Sequence, residues 1–353
     1  MWFGDEARNR YFQTTVTEAI WKKRGIHLRL VPFNQTSEAI AKLRNERDAG
    51  KNVDGSIDVL WINGDNFRAA KEGKLLWGPM AQSIPNASAY PDWAKLYDFG
   101  TAIDGLETPW QNSQFVMAYD SARTPQPPKS FVDLLAWTKQ HPGRFTYVAP
   151  PDFTGSAFIR HILLYFNGGF QTGFDANLYE KASQQVFQYL NTMKPFLWKK
   201  GETYPSTPQE LDRLFANQEI DFAMSYAPAF ASEKIARGEF PATARTFVFD
   251  SGTLSNYNFL AVAFNASNRQ GALVVINELV SYERVLDMAR VLGNGFPLAI
   301  EKLTDAQRKE VDALPHGVAT LPASEREAHA IPEPDAEYLN RLNRDWRKSV
   351  LLR

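Results

Sequence analysis

Aromatic and polar side chains occur side by side in loops that follow predicted strands. The first loop contains Trp2 and Asp5, and the second contains Trp61, Asn63 and Asp65. In open α/β sheets, ligands bind beyond the carboxyl ends of the strands. Indole rings stack on flat groups, while amides and carboxylates form hydrogen bonds. The pattern therefore predicts ligand contacts at these residues, with capping of the next helix as the alternative role for Asp65.

Another aromatic and polar loop lies just before a predicted strand and contains Trp110 and Asn112. An ordinary surface loop would also fit the sequence, but an exposed indole leaves a large apolar area in water. We therefore expect both side chains to face a ligand.

The segment Thr154-Gly155-Ser156 opens a predicted helix. The first amides of a helix have no partner within it, and they lie at the positive end of the helix dipole. These groups suit an anionic or carbonyl oxygen of a ligand. A plain N-terminal cap is the alternative.

Two further segments at strand ends carry hydroxyl, amide and phenol groups. Ser225 and Tyr226 follow one predicted strand, and Asn256 and Tyr257 end a Gly/Ser/Asn-rich stretch. Tyrosine can stack on a ligand or form a hydrogen bond with it. Such loops, spread over two α/β segments, predict a binding protein more strongly together than singly.

Motifs for covalent or nucleotide chemistry are missing from the sequence. There is no G-x-S-x-G elbow, P-loop or H-E-x-x-H pattern, and there is no cysteine. The five histidines are not spaced as a metal pair on one helix face. We therefore predict no catalytic residue, no metal ligand and no cofactor. An α/β enzyme acting on a small polar or carbohydrate substrate is the alternative, and an interaction scaffold is a third hypothesis.

Charge and hydropathy exclude several other classes of protein. The 353 residues include 39 Lys and Arg against 40 Asp and Glu, a formal net charge of -1. Nucleic-acid-binding domains are usually strongly basic. No apolar run reaches the ~18 residues of a membrane span. The sequence predicts a globular protein of two domains without a nucleic-acid partner.

Alternating strand and helix patterns must position these loops. His27–Val31 and Ile57–Ile62 are predicted strands, and the helical patterns around them predict an α/β segment with parallel strands. Phe145–Ala149 and Thr246–Phe249 are predicted strands of a second segment. The predicted fold class is therefore α/β. Capping boxes mark three helix starts, with N-cap residues Ser130, Thr207 and Thr304.

The chain is predicted to form two lobes and a C-terminal segment. A Pro-rich stretch after residue 119 and a Gly/Ser/Asn stretch ending at residue 256 are the expected crossing points. Lobe 1 comprises residues 1–118 and 255–300, lobe 2 comprises residues 119–254, and residues 301–353 form a helical segment that packs on the lobes.

The first residues have the pattern of a strand that runs into a helix. Met1-Trp2-Phe3 is apolar, Gly4 is a turn residue and Asp5 is a potential helix cap. No basic segment, apolar stretch and cleavage site of a secretory signal is present. We expect the upstream part of a first strand to precede this sequence, and a floppy N-terminus is the alternative.

Seven segments of the sequence share their pattern with a known family. The segments are Ile57–Phe67, Gly73–Leu76, Thr108–Trp110, Ala118–Asp120, Lys129–Leu135, Phe153–Ser156 and Asn217–Tyr226. On these segments the chain resembles the solute-binding component of an ABC importer, of the large extracellular solute-binding class, over nearly its whole length. Within the class it is most similar to a group near thiamine- and polyamine-binding proteins.

The resemblance implies a two-lobed type II periplasmic-binding-protein fold with an interlobe cleft and C-terminal helices. It implies a periplasmic protein, with its signal peptide not in this sequence, that delivers a solute to permease subunits by hinge closure. Thr154-Gly155-Ser156 matches the place where relatives hold an oxygen-rich ligand group. Iron-binding relatives use adjacent tyrosines, which this chain lacks. We expect a monomer.

The candidate residues suit two kinds of ligand group. Aromatic rings with Asp5, Asp65 and Asp250 suit a flat or cationic nitrogen compound, thiamine-like or polyamine-like, through stacking, cation–π contacts and charge pairing. The Thr154–Ser156 helix start suits a phosphate or carboxylate.

Aromatic residues make up 13% of the chain, which allows either a binding or a core role for each ring. We expect the rings in strand-end loops to bind ligand and those on helix faces to belong to the core. The expected core rings are Phe12, Trp21, Phe131, Trp137 and Phe166.

Overall fold

A computed structural model gives the structure of the protein. It describes residues 6–31, 33, 36–80, 83–90, 92, 96–169, 173–293, 295–314 and 317–353.

The described strands are short, apart from two that run through the middle of the chain. The long strands are β5 and β9. In chain order the strands are β1 (Val59–Ile62), β2 (Leu76–Trp77), β3 (Tyr97–Asp98), β4 (Thr101–Ala102), β5 (Glu107–Gln114), β6 (Val116–Asp120), β7 (Phe222–Ser225), β8 (Ala244–Phe247), β9 (Thr253–Ala263) and β10 (Ala330–Pro332).

Helices lie between the strands and follow the last strand. The α-helices are α1 (Glu6–Tyr11), α2 (Thr17–Arg24), α3 (Thr36–Asp48), α4 (Asp65–Glu72), α5 (Phe131–Gln140), α6 (Phe153–Asn167), α7 (Ala176–Met193), α8 (Pro208–Ala216), α9 (Phe230–Ala236), α10 (Arg269–Leu279), α11 (Tyr282–Leu292), α12 (Asp305–Asp312), α13 (Ala323–Ala328) and α14 (Ala336–Trp346). π-Helical stretches follow α1 and α14, at Phe12–Val16 and Arg347–Leu351, and 3-10 turns occupy Pro85–Ala89, Lys194–Phe196, Trp198–Gly201 and Ile300–Lys302.

The chain divides into two compact units, each with its own apolar core. Unit 1 holds the described residues up to Asn112 and then Tyr257–Leu314, and unit 2 holds Ser113–Asn256 and the described residues after 316. The first crossing precedes the expected one by six residues. The expected segment 301–353 is not a single body, because its first part belongs to unit 1 and its last part to unit 2.

In unit 1, the central strand β9 holds β1, β2 and β5. β1 and β2 both pair with it in antiparallel register, with Trp61 opposite Leu260. The expectation of parallel strands in this part of the chain is therefore wrong for the described ladders. β9 returns from unit 2 and runs against β1, and a returning strand of this kind needs no crossover helix.

In unit 2, the central strand β6 pairs antiparallel with β7 and β8. The first residues of β9 pair in parallel with β10, with Leu254 opposite Ile331. β10 therefore brings the C-terminal part of the chain to the strand whose last unit 2 residue is Asn256.

The three predicted N-caps are confirmed. The side chains of Ser130, Thr207 and Thr304 each accept the backbone amide three residues later. At Thr207 the carboxylate of Glu210 turns to the amide of Ser206 at 2.6 Å, so the reciprocal half of that box is shifted by one residue.

Two predicted strands do not form ladders. His27–Val31 belongs to no strand, although Leu28 and Leu30 pack on the core while His27 and Arg29 are exposed. Phe145–Ala149 is also irregular: its Phe145 carbonyl accepts from Trp198, and the amide of Ala149 donates to Pro205. An alternating apolar pattern predicts only that one side of the segment is buried. A strand ladder also needs a neighbouring strand to pair with.

The core prediction holds for Phe12 and Phe131, which are fully buried, and for Trp137 and Phe166, which pack partly buried against the core of unit 2. It is wrong for Trp21, which is 47% exposed. Trp21 stacks on His27 with ring centroids 3.8 Å apart. Its helix therefore turns this indole toward solvent, where the imidazole covers one face.

No helix of the described segments combines the length and apolar character needed to cross a bilayer.

Candidate ligand-binding residues

In unit 1, Trp61 and Asn63 converge on one side chain. The indole Nε1 of Trp61 donates to Oδ1 of Asn258 at 3.0 Å, and Nδ2 of Asn63 donates to the same oxygen at 3.2 Å. The ladder between β1 and β9 makes this meeting possible. Asn258 lies one residue beyond the segment singled out in the sequence, so its place two residues after Asn256 was the available signal.

The half-buried ring of Trp61 also has a cation beside it. The guanidinium carbon of Arg8 lies 5.3 Å from the ring centroid, and Nη1 of Arg8 donates to Oε1 of Gln111 at 3.5 Å. Arg8 stands on α1, near the expected first loop. Sequence patterns did not identify it, because a lone arginine on a helix is usually a solvated residue.

Trp110 is not placed as the sequence predicted. Its side chain is 0% exposed, and its ring meets Phe12 at 6.0 Å and Trp61 at 5.5 Å in edge-on geometry. A fully buried indole cannot stack on a solute without rearranging the core of unit 1. Trp110 therefore acts as a packing support for Trp61.

A hydrogen bond to a buried carboxylate fixes the loop after β1. The amide of Gly64 donates to Oδ2 of the buried Asp98 at 2.6 Å. Gly64 is the N-cap position of α4 with a positive φ of 60°, so the capping role considered for Asp65 is wrong. Asp65 is exposed in the first turn, and its carboxylate pairs with Arg68 at 2.8 Å.

Asn112 and Tyr257 are engaged inside unit 1. Nδ2 of Asn112 donates to the carbonyl of Phe296 at 3.4 Å, and a Cβ on Gly295 would lie 2.0 Å from Oδ1 of Asn112. This close approach explains the glycine there. Tyr257 is half-buried, with its ring 6.2 Å from that of Phe259. The structure thus assigns Asn112 a contact within the fold.

In unit 2, the start of α6 is closed by its own cap. Oδ1 of Asp152 accepts the amides of Thr154 at 2.9 Å and of Gly155 at 3.0 Å, and the carbonyl of Asp152 accepts that of Ser156. The alternative of a plain N-cap therefore describes these amides. A Cβ on Gly155 would lie 2.0 Å from the carbonyl oxygen of Val148, so packing requires this glycine.

Three predicted residues of unit 2 meet at a buried ion pair that the sequence did not indicate. Arg160 donates to Glu333 through Nε at 2.9 Å and Nη2 at 3.1 Å. Nη2 also donates to the phenol of Tyr226 at 3.1 Å, and Nη1 donates to Oγ of Ser156 at 3.0 Å. Asn256 donates to Oε1 of Glu333 at 3.4 Å.

The phenol of Tyr226 donates to the same Oε1 of Glu333. Burial, the carboxylate and this hydrogen bond raise the pKa of Tyr226 well above its usual value, against an opposing effect of Arg160. The phenol therefore stays protonated at physiological pH. Its ring is half-buried and lies 4.8 Å from that of Phe153, which is 41% exposed.

Two neighbouring groups have structural roles. Oγ of Ser225 accepts the amide of Ala227 at 3.0 Å, which closes the turn after β7. Burial lowers the pKa of His161 to about 3. Neutral His161 accepts the amide of Leu254 on Nε2 at 2.8 Å, and so ties α6 to β9.

Trp2 and Asp5 lie outside the described residues. Within the described ranges, no three His, Asp or Glu side chains are grouped so that they could hold a metal ion.

Comparison with known proteins connects these residues to a family. The model of a family described as bacterial extracellular solute-binding protein matches residues 15–316. Protein YnjB of Escherichia coli (strain K12) is 32% identical over 352 residues, which cover 98% of this chain and 88% of the relative.

Solved structures of low sequence identity share the fold. An ABC transporter substrate-binding protein from Bradyrhizobium japonicum USDA 110 superposes with a TM-score of 0.69 at 17% identity, covering 99% of this chain and 98% of that one. The spermidine/putrescine substrate-binding protein PotD from Streptococcus pneumoniae gives 0.68 at 13% identity, covering 95% and 94%. The fold is that of the periplasmic binding proteins, as the sequence predicted, and the chain belongs to the bacterial extracellular solute-binding protein family.

Proposed function

We propose that this protein binds a small polar solute and delivers it to an ABC-type membrane permease. The observation that carries the proposal is the family match over residues 15–316. A binding role in that family requires prearranged side chains, and each unit offers one such arrangement. In unit 1 it is Trp61 with Asn63, both held by Asn258, and in unit 2 it is Tyr226 with Asn256, both held by Glu333.

The proposed solute is a flat or cationic nitrogen compound, thiamine-like or polyamine-like. Half-buried indole and phenol rings at Trp61 and Tyr226 favour stacking and cation–π contacts. The two described aspartates of the prediction, Asp65 and Asp250, contribute less than expected, because both are exposed. Exposed carboxylates hold a cation weakly in water. The proposal therefore depends mainly on the rings.

Solute binding is proposed to close the two units about the points where the chain passes between them. The solute would contact both units and bind the closed arrangement more tightly, which shifts the population toward it. The closed form would then dock on the permease. We propose a periplasmic location, which agrees with the family description as extracellular. We also propose a monomeric state.

The test is a fluorescence titration of the protein with thiamine compounds, polyamines, sugars and oxyanions. We expect one nitrogen compound to change tryptophan emission with saturation, and small-angle scattering to show compaction at saturation. Trp61→Phe should weaken the affinity for the solute at least tenfold. The smaller ring offers less area for stacking on the solute, and the N–H that bonds to Asn258 is lost. A permease ATPase assay with and without the loaded protein tests delivery.

Trp198 provides a matched control for Trp61. It is also half-buried, has Lys199 at 4.2 Å from its ring and donates to Glu219 at 3.2 Å. Trp198→Phe should leave the affinity unchanged. A folded protein that responds to no compound would contradict the small-solute proposal, and turnover of a compound would favour the enzyme alternative.

A further inference from the structure

The carboxylate of Glu333 joins three elements of unit 2. It pairs with Arg160 of α6, accepts a hydrogen bond from the phenol of Tyr226 directly after β7, and accepts one from the side-chain amide of Asn256 on β9. Arg160 is 0% exposed and Glu333 is 3% exposed. Glu333 follows β10 directly, so the C-terminal part of the chain supplies this group.

A buried ion pair is weak evidence for stability. Removing two charges from water is costly, and apolar side chains of similar size often hold a fold equally well. Charged pairs differ from apolar ones in that they fix the direction of the hydrogen bonds around them. At this pair, Arg160 donates to Ser156 and Tyr226, and Glu333 accepts from Tyr226 and Asn256.

The direction of these hydrogen bonds determines which donors and acceptors Tyr226 and Asn256 have left for a further partner. Tyr226 donates its only hydroxyl hydrogen to Glu333, and the side-chain amide nitrogen of Asn256 also donates to Glu333. The phenol oxygen of Tyr226 keeps one lone pair after accepting from Arg160, and Oδ1 of Asn256 has no hydrogen bond among the described residues. Each of the two groups therefore keeps an acceptor position that no hydrogen bond of the described residues occupies.

We propose that Arg160 and Glu333 are positioning residues, which set Tyr226 and Asn256 as hydrogen-bond acceptors and so make the site selective for solutes with N–H donors. The proposal rests on the proposed function, since it names the solute chemistry of the same binding residues. Neither charged side chain touches the solute. Selectivity arises because a solute without N–H groups leaves the two acceptors unpaired when it displaces water.

The test compares two cations of equal charge. Putrescine carries N–H donors, and its bis-trimethylammonium analogue carries none; a tighter nitrogen ligand from the panel and its N-methylated form can replace them. Isothermal calorimetry on the wild-type protein should give at least tenfold tighter binding of the N–H form. Equal binding of the two forms would overturn the proposal.

The double variant Arg160→Met/Glu333→Met removes both charges together and leaves apolar chains of similar length. We expect it to fold, to keep the affinity for the methylated cation and to lose most of the preference for the N–H form. A merely structural pair would change both affinities together. A folded double variant with wild-type preference would overturn the proposal.

Tyr226→Phe keeps the proposal testable if the double variant does not fold. It removes one acceptor and leaves both the ion pair and the aromatic ring, so the ratio of the affinities for the N–H form and the methylated form should fall several-fold. An unchanged preference in this variant would overturn the proposal.

A result in which no nitrogen compound binds the wild type would contradict the proposed function separately. The positioning role is then judged by the carbon-13 resonance of the Tyr226 ring carbon that bears the hydroxyl, assigned with Tyr226→Phe. This resonance should shift when Glu333→Gln removes the carboxylate. An unchanged resonance would overturn the positioning role.

Discussion

The indole nitrogen of Trp61 donates to the side-chain oxygen of Asn258 across 3.0 Å, although the residues are 197 positions apart. Asn63 donates to the same oxygen at 3.2 Å. One amide therefore holds the side chain of Trp61 on β1 and that of Asn63 in the loop after β1, and the antiparallel ladder between β1 and β9 keeps it in place.

Asn258→Leu should destabilise the protein by about 1–3 kcal/mol, because two donors lose their acceptor in a half-buried place. Tryptophan emission should also change, since Trp61 would gain mobility. Urea unfolding followed by fluorescence measures both effects. Asn45→Leu, at an exposed position of α3, is the control and should stay within about 0.5 kcal/mol. Equal effects of the two changes would contradict the shared-acceptor role.

Glu107 is fully buried on β5, and neither of its carboxylate oxygens has a hydrogen-bond partner among the described residues. Burial raises its pKa well above the usual value; Asp98 adds to the shift, and Lys71 opposes it. The folded state thus keeps a proton that the unfolded state releases above about pH 4.5. Stability is therefore lost as pH rises from there toward the folded pKa, by up to roughly 1.4 kcal/mol per pH unit.

Glu107→Gln removes this loss, so its stability advantage over the wild type should grow as pH rises from 4.5 to 8. Thermal unfolding at several pH values measures the difference. Glu202→Gln, at an exposed position, should give no such trend. An advantage for Glu107→Gln that does not change with pH would contradict the protonated state of Glu107.

Gly155 is required by packing at the start of α6. A Cβ there would lie 2.0 Å from the carbonyl oxygen of Val148, so Gly155→Ala should cost at least about 2 kcal/mol of unfolding free energy. Gly173→Ala is the control, because no atom lies within 4 Å of the corresponding position. Chemical denaturation of both variants decides the matter. Similar free energies of unfolding for the two variants would show that the backbone near Gly155 can shift to accommodate a Cβ, which would contradict the prediction.

Asp152 occupies the anion position at the N-terminus of α6. Asp152→Ala should cost about 1 kcal/mol, as loss of an N-cap does. Sulfate should then restore part of this loss by binding the amides of Thr154 and Gly155. Melting curves in sodium sulfate and in sodium chloride of equal ionic strength measure the effect.

Asp152→Asn keeps an accepting oxygen and should resemble the wild type in both salts. If sulfate stabilises the wild-type protein as much as it stabilises the Asp152→Ala variant, the amides are accessible in the wild type. The anion site predicted from the sequence would then be supported.

Local chemistry is what the sequence by itself determined. Caps such as Thr207 and Thr304 form because donor and acceptor lie three residues apart. Burial of Phe12 and Phe131 follows from helical periodicity, and the motifs sufficed to identify the family and its fold. These features depend on contacts within one or two turns of the chain, or on a pattern shared by relatives.

Contacts between distant segments were decided only by the tertiary structure. Arg160 and Glu333 are 173 positions apart, and no local pattern distinguishes them from surface charges. Trp110 is a core residue although it was predicted to bind ligand, whereas Trp61 and Tyr226 are only half-buried, because exposure depends on which elements cover a ring. A side chain's type determines what it can bond, and the packing of remote elements determines which partner it meets.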